Sequence, residues 1–239
     1  MQKPCFKCGI LKIVYLGFVI LGTIHPLEAQ AVFERKYGFV EWVKRYSPMD
    51  ELLFTVLSQN TTDLNSAKAF QNLINAFGTP EGIARQSVQS IANQIRVAGL
   101  GNIKSVRIKK ILAEIKRQVG SYDISFLSDI GTENAKKWLR SLDGVGPKTA
   151  AVVLCFAFGM PVMAVDTHVY RVSKRLGWID SKISVEKAHD ELESIIAPEN
   201  RYQLHVYLIT HGRKICKAIK PKCEECILVK KCPSSLIRS

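Results

Sequence analysis

The sequence is short of acidic residues, and this shortage indicates what its surface attracts. Its 239 residues include 21 Asp and Glu against 34 Lys and Arg, so the formal net charge is +13 at pH 7. An excess of this size does not set the fold. It indicates a surface that attracts phosphate backbones or anionic membranes.

Low-complexity stretches are missing as well. The hydrophobic fraction is 47% and the charged fraction 23%, which are ordinary values for a globular protein. This composition excludes a disordered tail protein, a collagen-like chain and a polytopic membrane protein. A chain of 239 residues has room for one large domain or two small ones.

The N-terminal 31 residues differ from the rest of the chain. Lysines at positions 3, 7 and 12 come before or at the edge of an uncharged apolar run, 13–24, and Ala29-Gln30-Ala31 offers the small residues that a signal peptidase needs. The run is shorter than the roughly 20 apolar residues of a membrane span. Three interpretations stay open: a secretory signal or anchor, a buried helix, or a start codon placed too early. We expect no membrane contact through this segment, because the remaining sequence indicates an intracellular protein.

From Val32 onward the pattern is helical almost throughout. No stretch alternates with period two, so we predict an all-α fold of about ten helices. Ser47-Pro48 is predicted to end a first helix. Thr79-Pro80 and Ser184 are predicted to begin later helices.

One long helix is predicted just before Gly120, which is the expected C-cap. Its apolar residues share one face by their spacing, and they are Ile108, Ile111, Leu112, Ile115 and Val119. Its basic residues are predicted to lie on the other faces, and they are Lys104, Arg107, Lys109, Lys110 and Lys116.

Residues 142–150 have the pattern of a phosphate-binding turn. Gly144 and Gly146 flank Val145, and Pro147 then begins a helix. Glycines permit a tight turn with outward N–H groups at a helix N-terminus, where the dipole favours an anion. With the helix before it, this turn would form a helix-hairpin-helix. A plain corner between two helices is the alternative at this point.

Two polar residues are candidates for catalysis. Lys148 is predicted in the first turn of the second helix, where the dipole disfavours a cation and so favours the neutral amine that a nucleophile needs. Its alternative role is a point charge that binds phosphate. Asp166 follows the apolar run 162–165 and is either an N-cap or a desolvated carboxylate beside a site. His168 is expected to be a packed histidine.

Four of the seven cysteines crowd near the C-terminus, with six, two and five residues between them. They are Cys216, Cys223, Cys226 and Cys232. Four thiolates at this spacing suit zinc or a [4Fe–4S] cluster, whereas two disulfides would need an oxidising compartment. The lysines among them would form a rigid positive surface for a phosphate backbone. Cys5 and Cys8 form a lone C-x-x-C, to which no role is assigned.

Together these motifs resemble the endonuclease III family of bifunctional DNA glycosylases, in the HhH-GPD superfamily. The resemblance runs from about Ser47 to Cys232, and its motifs are modest alone but specific in this order. They are 142–150, Val165-Asp166-Thr167-His168-Val169, His211-Gly212-Arg213 and the cysteine spacing.

The resemblance implies two α-helical domains with the DNA between them. A six-helix barrel that includes the hairpin would span 41–160. An iron–sulfur cluster domain would combine 32–40 with 161–239. Residues 1–31 would be an extension without a counterpart in the family, and a monomer is implied.

The resemblance also implies removal of oxidised pyrimidines from damaged double-stranded DNA, followed by strand cleavage at the abasic site (AP lyase activity). Lys148 matches the nucleophile that attacks C1′ and forms a Schiff base, and Asp166 matches the essential carboxylate. The four cysteines match the ligands of a [4Fe–4S] cluster, and no other cofactor is implied. Such an enzyme would act in the cytoplasm, on the nucleoid.

Further residues match DNA contacts of the family. Gln59 or Asn60 would supply the amide that fills the gap left by the extruded base. Leu100 matches the apolar wedge on the opposite strand. The remaining implied contacts are Gly144, Val145 and Gly146 of the hairpin, with Lys217, Lys220 and Lys222 among the cysteines.

Two departures from the family pattern keep alternatives open. Asp143 replaces the proline usual before the hairpin glycines, and the loop Gln59-Asn60-Thr61-Thr62 differs from that of the bacterial prototype. One alternative is a monofunctional glycosylase for thymine or uracil mismatches. The other is a non-catalytic iron–sulfur protein that binds DNA, which the presence of both Lys148 and Asp166 disfavours.

Overall fold

The computed structural model describes residues 23–237 and confirms the all-α fold, with eleven α-helices and no strand in that range. Five short 3-10 turns complete the described elements. The helices are α1 (Pro26–Tyr37), α2 (Pro48–Ser58), α3 (Asp63–Phe77), α4 (Pro80–Ala84), α5 (Val88–Gln94), α6 (Gly101–Val119), α7 (Thr132–Arg140), α8 (Pro147–Phe158), α9 (Thr167–Arg175), α10 (Val185–Ile195) and α11 (Arg201–Lys214).

The predictions for the N-terminal segment fall mostly outside the described residues. Cys5, Cys8 and nearly all of the uncharged run 13–24 belong to that part. Ala29-Gln30-Ala31 lies within α1, and Ala29 is buried there. Among the helices of residues 23–237, none combines the length and apolar character needed to cross a membrane.

Most predicted helix ends are confirmed by their caps. The Thr79 hydroxyl accepts from the Gly82 N–H at 3.2 Å, and Gly120 ends α6 with φ of 78°. The prediction that Ser47-Pro48 ends a first helix is wrong, because α1 has already ended at Tyr37. Ser47 instead begins α2, since its hydroxyl caps the Asp50 N–H at 3.2 Å and Pro48 occupies the first helical position.

A first hydrophobic core is built around α2, which packs against α3 and α8. Nine of its eleven residues are buried, so this helix is enclosed on every face. The non-helical segment 38–46 reaches the same core through Tyr46. The indole Nε1 of Trp42 donates to the Cys155 carbonyl at 2.8 Å, and Arg45 pairs with the fully buried Glu51.

A second hydrophobic core joins the start of the described chain to its end. Phe33 of α1 contacts Tyr207 of α11, with ring centroids 5.9 Å apart. The Trp178 indole donates to the Ile24 carbonyl at 2.7 Å. Ile24 and Ala29 therefore contribute to this core, although they precede residue 32, where the cluster domain was predicted to begin.

Candidate active site

The turn between α7 and α8, residues 141–146, forms the predicted hairpin. Gly144 adopts φ of 75°, a left-handed conformation that favours glycine. The Val145 N–H closes the turn on the Leu142 carbonyl at 3.1 Å, and the Val145 side chain is buried in the first core. Gly146 is exposed as the N-cap of α8, with nothing within 4 Å of the place a Cβ would occupy. The outward face of the hairpin is therefore centred on Gly146.

The loop between α2 and α3 is fastened to this hairpin through Gln59. Its amide Nε2 donates to the Gly144 carbonyl and to the Thr149 hydroxyl, each at 3.2 Å. Its Oε1 accepts from the Arg107 guanidinium, which lies where a Cβ on Gly144 would collide. Asn60, by contrast, is exposed and left-handed, with φ of 55°. Of the two amides predicted to enter DNA, one is thus bonded to the hairpin and partly buried, and the other is exposed.

Asp143, the departure from the family pattern, lies on the α6 side of the hairpin. Its carboxylate pairs with the Lys110 ammonium at 3.0 Å, and both side chains are more than half exposed. Such a pair contributes little to stability. Its negative charge nevertheless stands beside a turn whose N–H groups favour anions.

Lys148 and Asp166 occupy the N-termini of neighbouring helices. Lys148 is the second residue of α8, and it is exposed. Asp166 is the N-cap of α9, since its Oδ1 accepts from the N–H groups of His168 at 2.8 Å and Val169 at 2.7 Å. Both bonds go to Oδ1, so the cap does not use Oδ2. The N-cap interpretation is confirmed, and it is compatible with a carboxylate beside a site.

Buried and partly buried side chains of α10 and α11 hold the segment that carries Asp166. Residues 162–165 are fully buried without a strand partner. The Met163 N–H donates to Glu193 at 2.8 Å, the Met163 carbonyl bonds the His189 Nδ1 at 2.8 Å, and the Ala164 carbonyl bonds the His205 Nδ1 at 2.7 Å. Sequence reasoning missed these three side chains, because their partners are backbone groups 26 to 41 residues away.

His205 connects the two candidate catalytic residues electrostatically. Burial lowers its pKa, while the Ala164 carbonyl and the Asp166 charge raise it and the Lys148 charge lowers it. Burial also lowers the pKa of His189. Both imidazoles are therefore neutral donors at pH 7. The opposite charges of Asp166 and Lys148 both act on the buried ring that supports the Asp166 segment.

Leu100 lies in the turn before α6 and is 52% exposed. Its φ of 51° is left-handed, which is uncommon for a residue with a Cβ. Strained conformations of this kind persist only where the surrounding structure fixes them. The placement is compatible with the predicted wedge.

The motif His211-Gly212-Arg213 joins three parts of the molecule. His211 bonds the Tyr37 hydroxyl at 2.9 Å and the Cys226 Sγ at 3.5 Å, and burial lowers its pKa to about 4. A Cβ on Gly212 would lie 2.9 Å from the His168 Cβ, so glycine permits close packing of α11 on α9. Arg213 pairs with Asp63 at 2.7 Å, at the start of α3.

The four C-terminal cysteines form no disulfide with one another and line one cavity of about 30 Å³. Burial and the neighbouring thiolates raise the pKa of Cys226 to about 11. The Arg175 guanidinium donates to the Cys216 Sγ at 3.3 Å. Within residues 23–237, no group of three or more His, Cys, Asp or Glu is arranged to hold a metal ion. The four thiols thus share one space at the surface of the second core.

The segment 216–232, called the cysteine loop below, presents the predicted lysines outward. Lys217, Lys220 and Lys222 are all exposed, and Lys220 adopts φ of 51°. The Lys222 ammonium pairs with Glu225 at 2.7 Å. The Lys217 carbonyl accepts from Arg175 at 2.7 Å.

Comparisons with known proteins agree with this geometry. A family model described as HhH-GPD superfamily base excision DNA repair protein matches residues 53–198. Endonuclease III of Escherichia coli is 34% identical over 186 residues, which cover 78% of this chain and 83% of that protein. Endonuclease III of Sulfolobus acidocaldarius is 36% identical over 179 residues, or 74% of this chain and 78% of that one.

Solved structures show the same likeness. A non-covalent endonuclease III–DNA complex superposes with a TM-score of 0.74 at 32% identity, covering 86% of this chain and 92% of that one. A thermostable thymine-DNA glycosylase shares the fold, with a TM-score of 0.70 at 22% identity over 86% of this chain and 93% of the other. The chain belongs to the HhH-GPD superfamily of base excision DNA repair proteins and, within it, to the endonuclease III family of DNA glycosylases.

Proposed function

We propose that this glycosylase removes oxidised pyrimidines from duplex DNA and then cleaves the strand at the abasic site through a Schiff base on Lys148. The observation that carries the proposal is the placement of an exposed lysine and a capping aspartate at the N-termini of α8 and α9, with both charges acting on His205. A related endonuclease III, 30% identical with a TM-score of 0.74 over 88% of this chain and 97% of that one, was trapped as a covalent intermediate with DNA. That likeness supports a covalent route.

The hairpin is proposed to bind the DNA backbone. Gly146 leaves the N-terminus of α8 open, so a phosphate can approach N–H groups there without meeting a side chain. The net charge of +13 and the exposed Lys217 and Lys220 favour the same partner. These contacts position the duplex and do not read its sequence.

Asn60 and Leu100 are proposed to enter the duplex when the damaged nucleotide leaves the stack. Both side chains are exposed, and both backbones are left-handed. Gln59 is less suited to this role, because its amide already bonds Gly144 and Thr149. Of the two amides predicted from the sequence, we therefore assign the insertion to Asn60. Unstacking costs a few kcal/mol, which inserted side chains offset.

The chemistry proposed for Lys148 and Asp166 follows from their places. The lone pair of the Lys148 Nζ attacks C1′, the glycosidic bond breaks, and its electron pair leaves with the base, which takes up the proton that Nζ loses. Asp166 stabilises the positive charge that develops on the sugar. Ring opening gives an iminium ion, which makes the C2′ proton acidic. Loss of that proton expels the 3′ phosphate, and hydrolysis of the imine frees Lys148.

Cys216, Cys223, Cys226 and Cys232 are proposed to hold a [4Fe–4S] cluster. The four thiols line one cavity, and four thiolates are a ligand set that both zinc and a [4Fe–4S] cluster accept. The resemblance to the endonuclease III family favours the cluster. When bound, the cluster would fix the cysteine loop and its lysines.

Borohydride trapping tests the proposed reaction. Borohydride reduces the iminium ion to a stable amine, so protein and DNA remain joined. The holoprotein is incubated with a duplex carrying thymine glycol and with an abasic-site duplex. We expect adducts on both, complete loss of adduct in Lys148→Gln, and wild-type yields in Lys182→Ala, which removes an exposed lysine between α9 and α10.

Other outcomes would revise the proposal. An adduct on the abasic duplex alone would keep Lys148 as the lyase nucleophile and move base choice to another lesion or to a mismatch. Absence of adducts on both duplexes, together with base release, would indicate a monofunctional glycosylase. Absence of both products would leave a protein that only binds DNA.

A further inference from the structure

Lys104 is a charged side chain that the sequence analysis places on the surface and the structure places in the interior. It was predicted to lie on an outer, basic face of α6, but the structure buries it to 1% exposure. Burying a lysine is costly unless its ammonium is well bonded. Its Nζ donates to the Leu57 carbonyl at 2.7 Å and to the Ala98 carbonyl at 2.9 Å. Its partners are backbone oxygens of two other elements.

Both carbonyls belong to helix ends. Leu57 lies in the last turn of α2, and Ala98 ends the 3-10 turn Arg96–Ala98. Carbonyls at helix C-termini lack intrahelical donors and carry the negative end of the dipole. One ammonium therefore satisfies two such ends at once. Burial, and next the charge of Arg107, lower the pKa of Lys104, while the two carbonyls bond its charged form.

The two helix ends lead directly into the residues proposed to enter DNA. Leu57 is three residues before Asn60, and Ala98 is two residues before Leu100. Asn60 and Leu100 are two of the three non-glycine residues with positive φ among residues 23–237. Strained backbone needs support from its surroundings, and the Lys104 ammonium anchors the start of both segments.

We propose that Lys104 is a positioning residue that fixes the spacing of the α2–α3 loop and the turn before α6, so that Asn60 and Leu100 enter the duplex together. This inference rests on the proposed function of those two residues. It assigns Lys104 no contact with DNA and no part in the chemistry at C1′. Its loss should therefore affect extrusion of the base from duplex DNA and spare reactions that need no extrusion.

Lys109 supplies a matched control on the same helix. Its ammonium also donates to a backbone carbonyl, that of Ala84 at the end of α4. Neither α4 nor the residues beside it carry a proposed DNA contact. A general loss of helix anchoring should therefore appear in Lys109→Met as well, whereas a loss of loop spacing should appear in Lys104→Met alone.

The experiment compares holoprotein of wild type, Lys104→Met and Lys109→Met on three readouts. The first is the fluorescence of 2-aminopurine opposite a non-cleavable abasic analogue in a duplex, which rises when the base is unstacked. The second is single-turnover release of thymine glycol from a duplex. The third is borohydride trapping on a single-stranded abasic oligonucleotide, in which no stack has to be opened.

We expect Lys104→Met to lose the fluorescence rise and to release thymine glycol about 100-fold more slowly, since misplacement by about 1 Å can have that effect. Trapping on the single strand should stay within about twofold of wild type. Lys109→Met should match wild type in all three readouts. If Lys104→Met does not fold, Lys104→Gln, which keeps donor hydrogens in a neutral group, should show the same split with a smaller loss.

Two results would overturn the inference alone. One is a normal fluorescence rise and normal base release in the Lys104 variants. The other is a fall of all three readouts by similar factors, together with a fall in thermal stability. That result would show that Lys104 only stabilises the core. A wild-type protein that neither unstacks 2-aminopurine nor releases thymine glycol would instead overturn the proposed function, and the role of Lys104 with it.

Discussion

The hairpin turn and the cysteine loop both lie outside regular helices, yet they are supported in opposite ways. The hairpin is fixed by the rest of the protein, through Gln59, Arg107 and a Val145 side chain buried in the first core. The cysteine loop contributes little buried surface, since Leu228 is the one buried residue among 216–232. The hairpin therefore rests on buried contacts, whereas the cysteine loop is tied to the rest of the protein by hydrogen bonds such as those from Arg175 to the Lys217 and Ala218 carbonyls. We expect the proposed cluster to supply the rest of its support.

Preparing the protein without iron should produce the largest difference between the cysteine loop and the hairpin. We expect the cysteine loop to lose protection from proteolysis and hydrogen exchange, because it buries too little apolar surface to stay ordered alone. The first core and the hairpin should keep their protection. Affinity for an abasic duplex should fall roughly tenfold or more as the lysines of the loop lose their positions. Equal loss of protection in both regions would show that the hairpin also depends on the cluster.

Gly144→Ala tests the claim that the hairpin is fixed by its own contacts. Residue 144 has φ of 75°, which strains the backbone of any residue with a Cβ. The new Cβ would also displace the Arg107 side chain from its position beside Gln59. Left-handed backbone costs an L-residue about 1–2 kcal/mol. Urea unfolding should show that loss, and DNA affinity should fall with it. Gly146→Ala is the control for stability, since its Cβ would meet no atom within 4 Å; an equal loss there would contradict this explanation.

Acid should weaken the segment between the two regions, residues 162–165. Burial lowers the pKa of His189 and of His205 below the ordinary value for the imidazole. As pH falls below about 6.5, the unfolded chain therefore binds protons at these two histidines before the folded protein does. The free energy of unfolding should therefore be constant above that pH and should fall below it. Urea unfolding between pH 7.5 and 5.5 measures this slope.

The double variant His189→Asn with His205→Asn identifies the source of the slope. The asparagine amide can still donate to the Met163 and Ala164 carbonyls but does not titrate. A smaller slope is expected, with the remainder due to groups such as His211, whose pKa is about 4. A slope identical to wild type would mean that other groups titrate.

Asp143→Asn should have the smallest effect on stability and on DNA affinity, and it tests how the charge beside the hairpin influences DNA binding. The pair of Asp143 with Lys110 is exposed, so its loss should change stability by less than about 1 kcal/mol. Removal of the negative charge should raise affinity for a duplex slightly at low salt, and the gain should vanish at high salt. Weaker binding at every salt concentration would instead show that Asp143 supports the turn.

Local chemistry made much of the fold predictable. The caps at Thr79, Gly120 and Ser184 act within one helical turn, and the apolar stripe of α6 is a matter of spacing. The hairpin is likewise a contiguous pattern. Features that depend on distant partners were missed, such as the non-helical segment 38–46, where the Trp42 indole donates to the Cys155 carbonyl.

The spacing of apolar residues in α6 already indicates an inward position for Lys104. It lies four residues before Ile108 and seven before Ile111, on the same apolar stripe. Its charge led to an outward assignment, and only the Leu57 and Ala98 carbonyls explain an inward one. The roles of Gln59, His189 and His205 rest on similar distant backbone partners, for which the sequence gives no local pattern.

The second core also has a consequence for synthesis of the protein. Tyr37 of α1 and His211 of α11, which bond each other, are 174 residues apart. At about 5–20 residues per second, α1 leaves the ribosome roughly ten to thirty seconds before α11 exists. Through that interval Phe33 lacks its ring partner Tyr207, while most of the first core has already been synthesised. The second core is therefore completed only when α11 has been made.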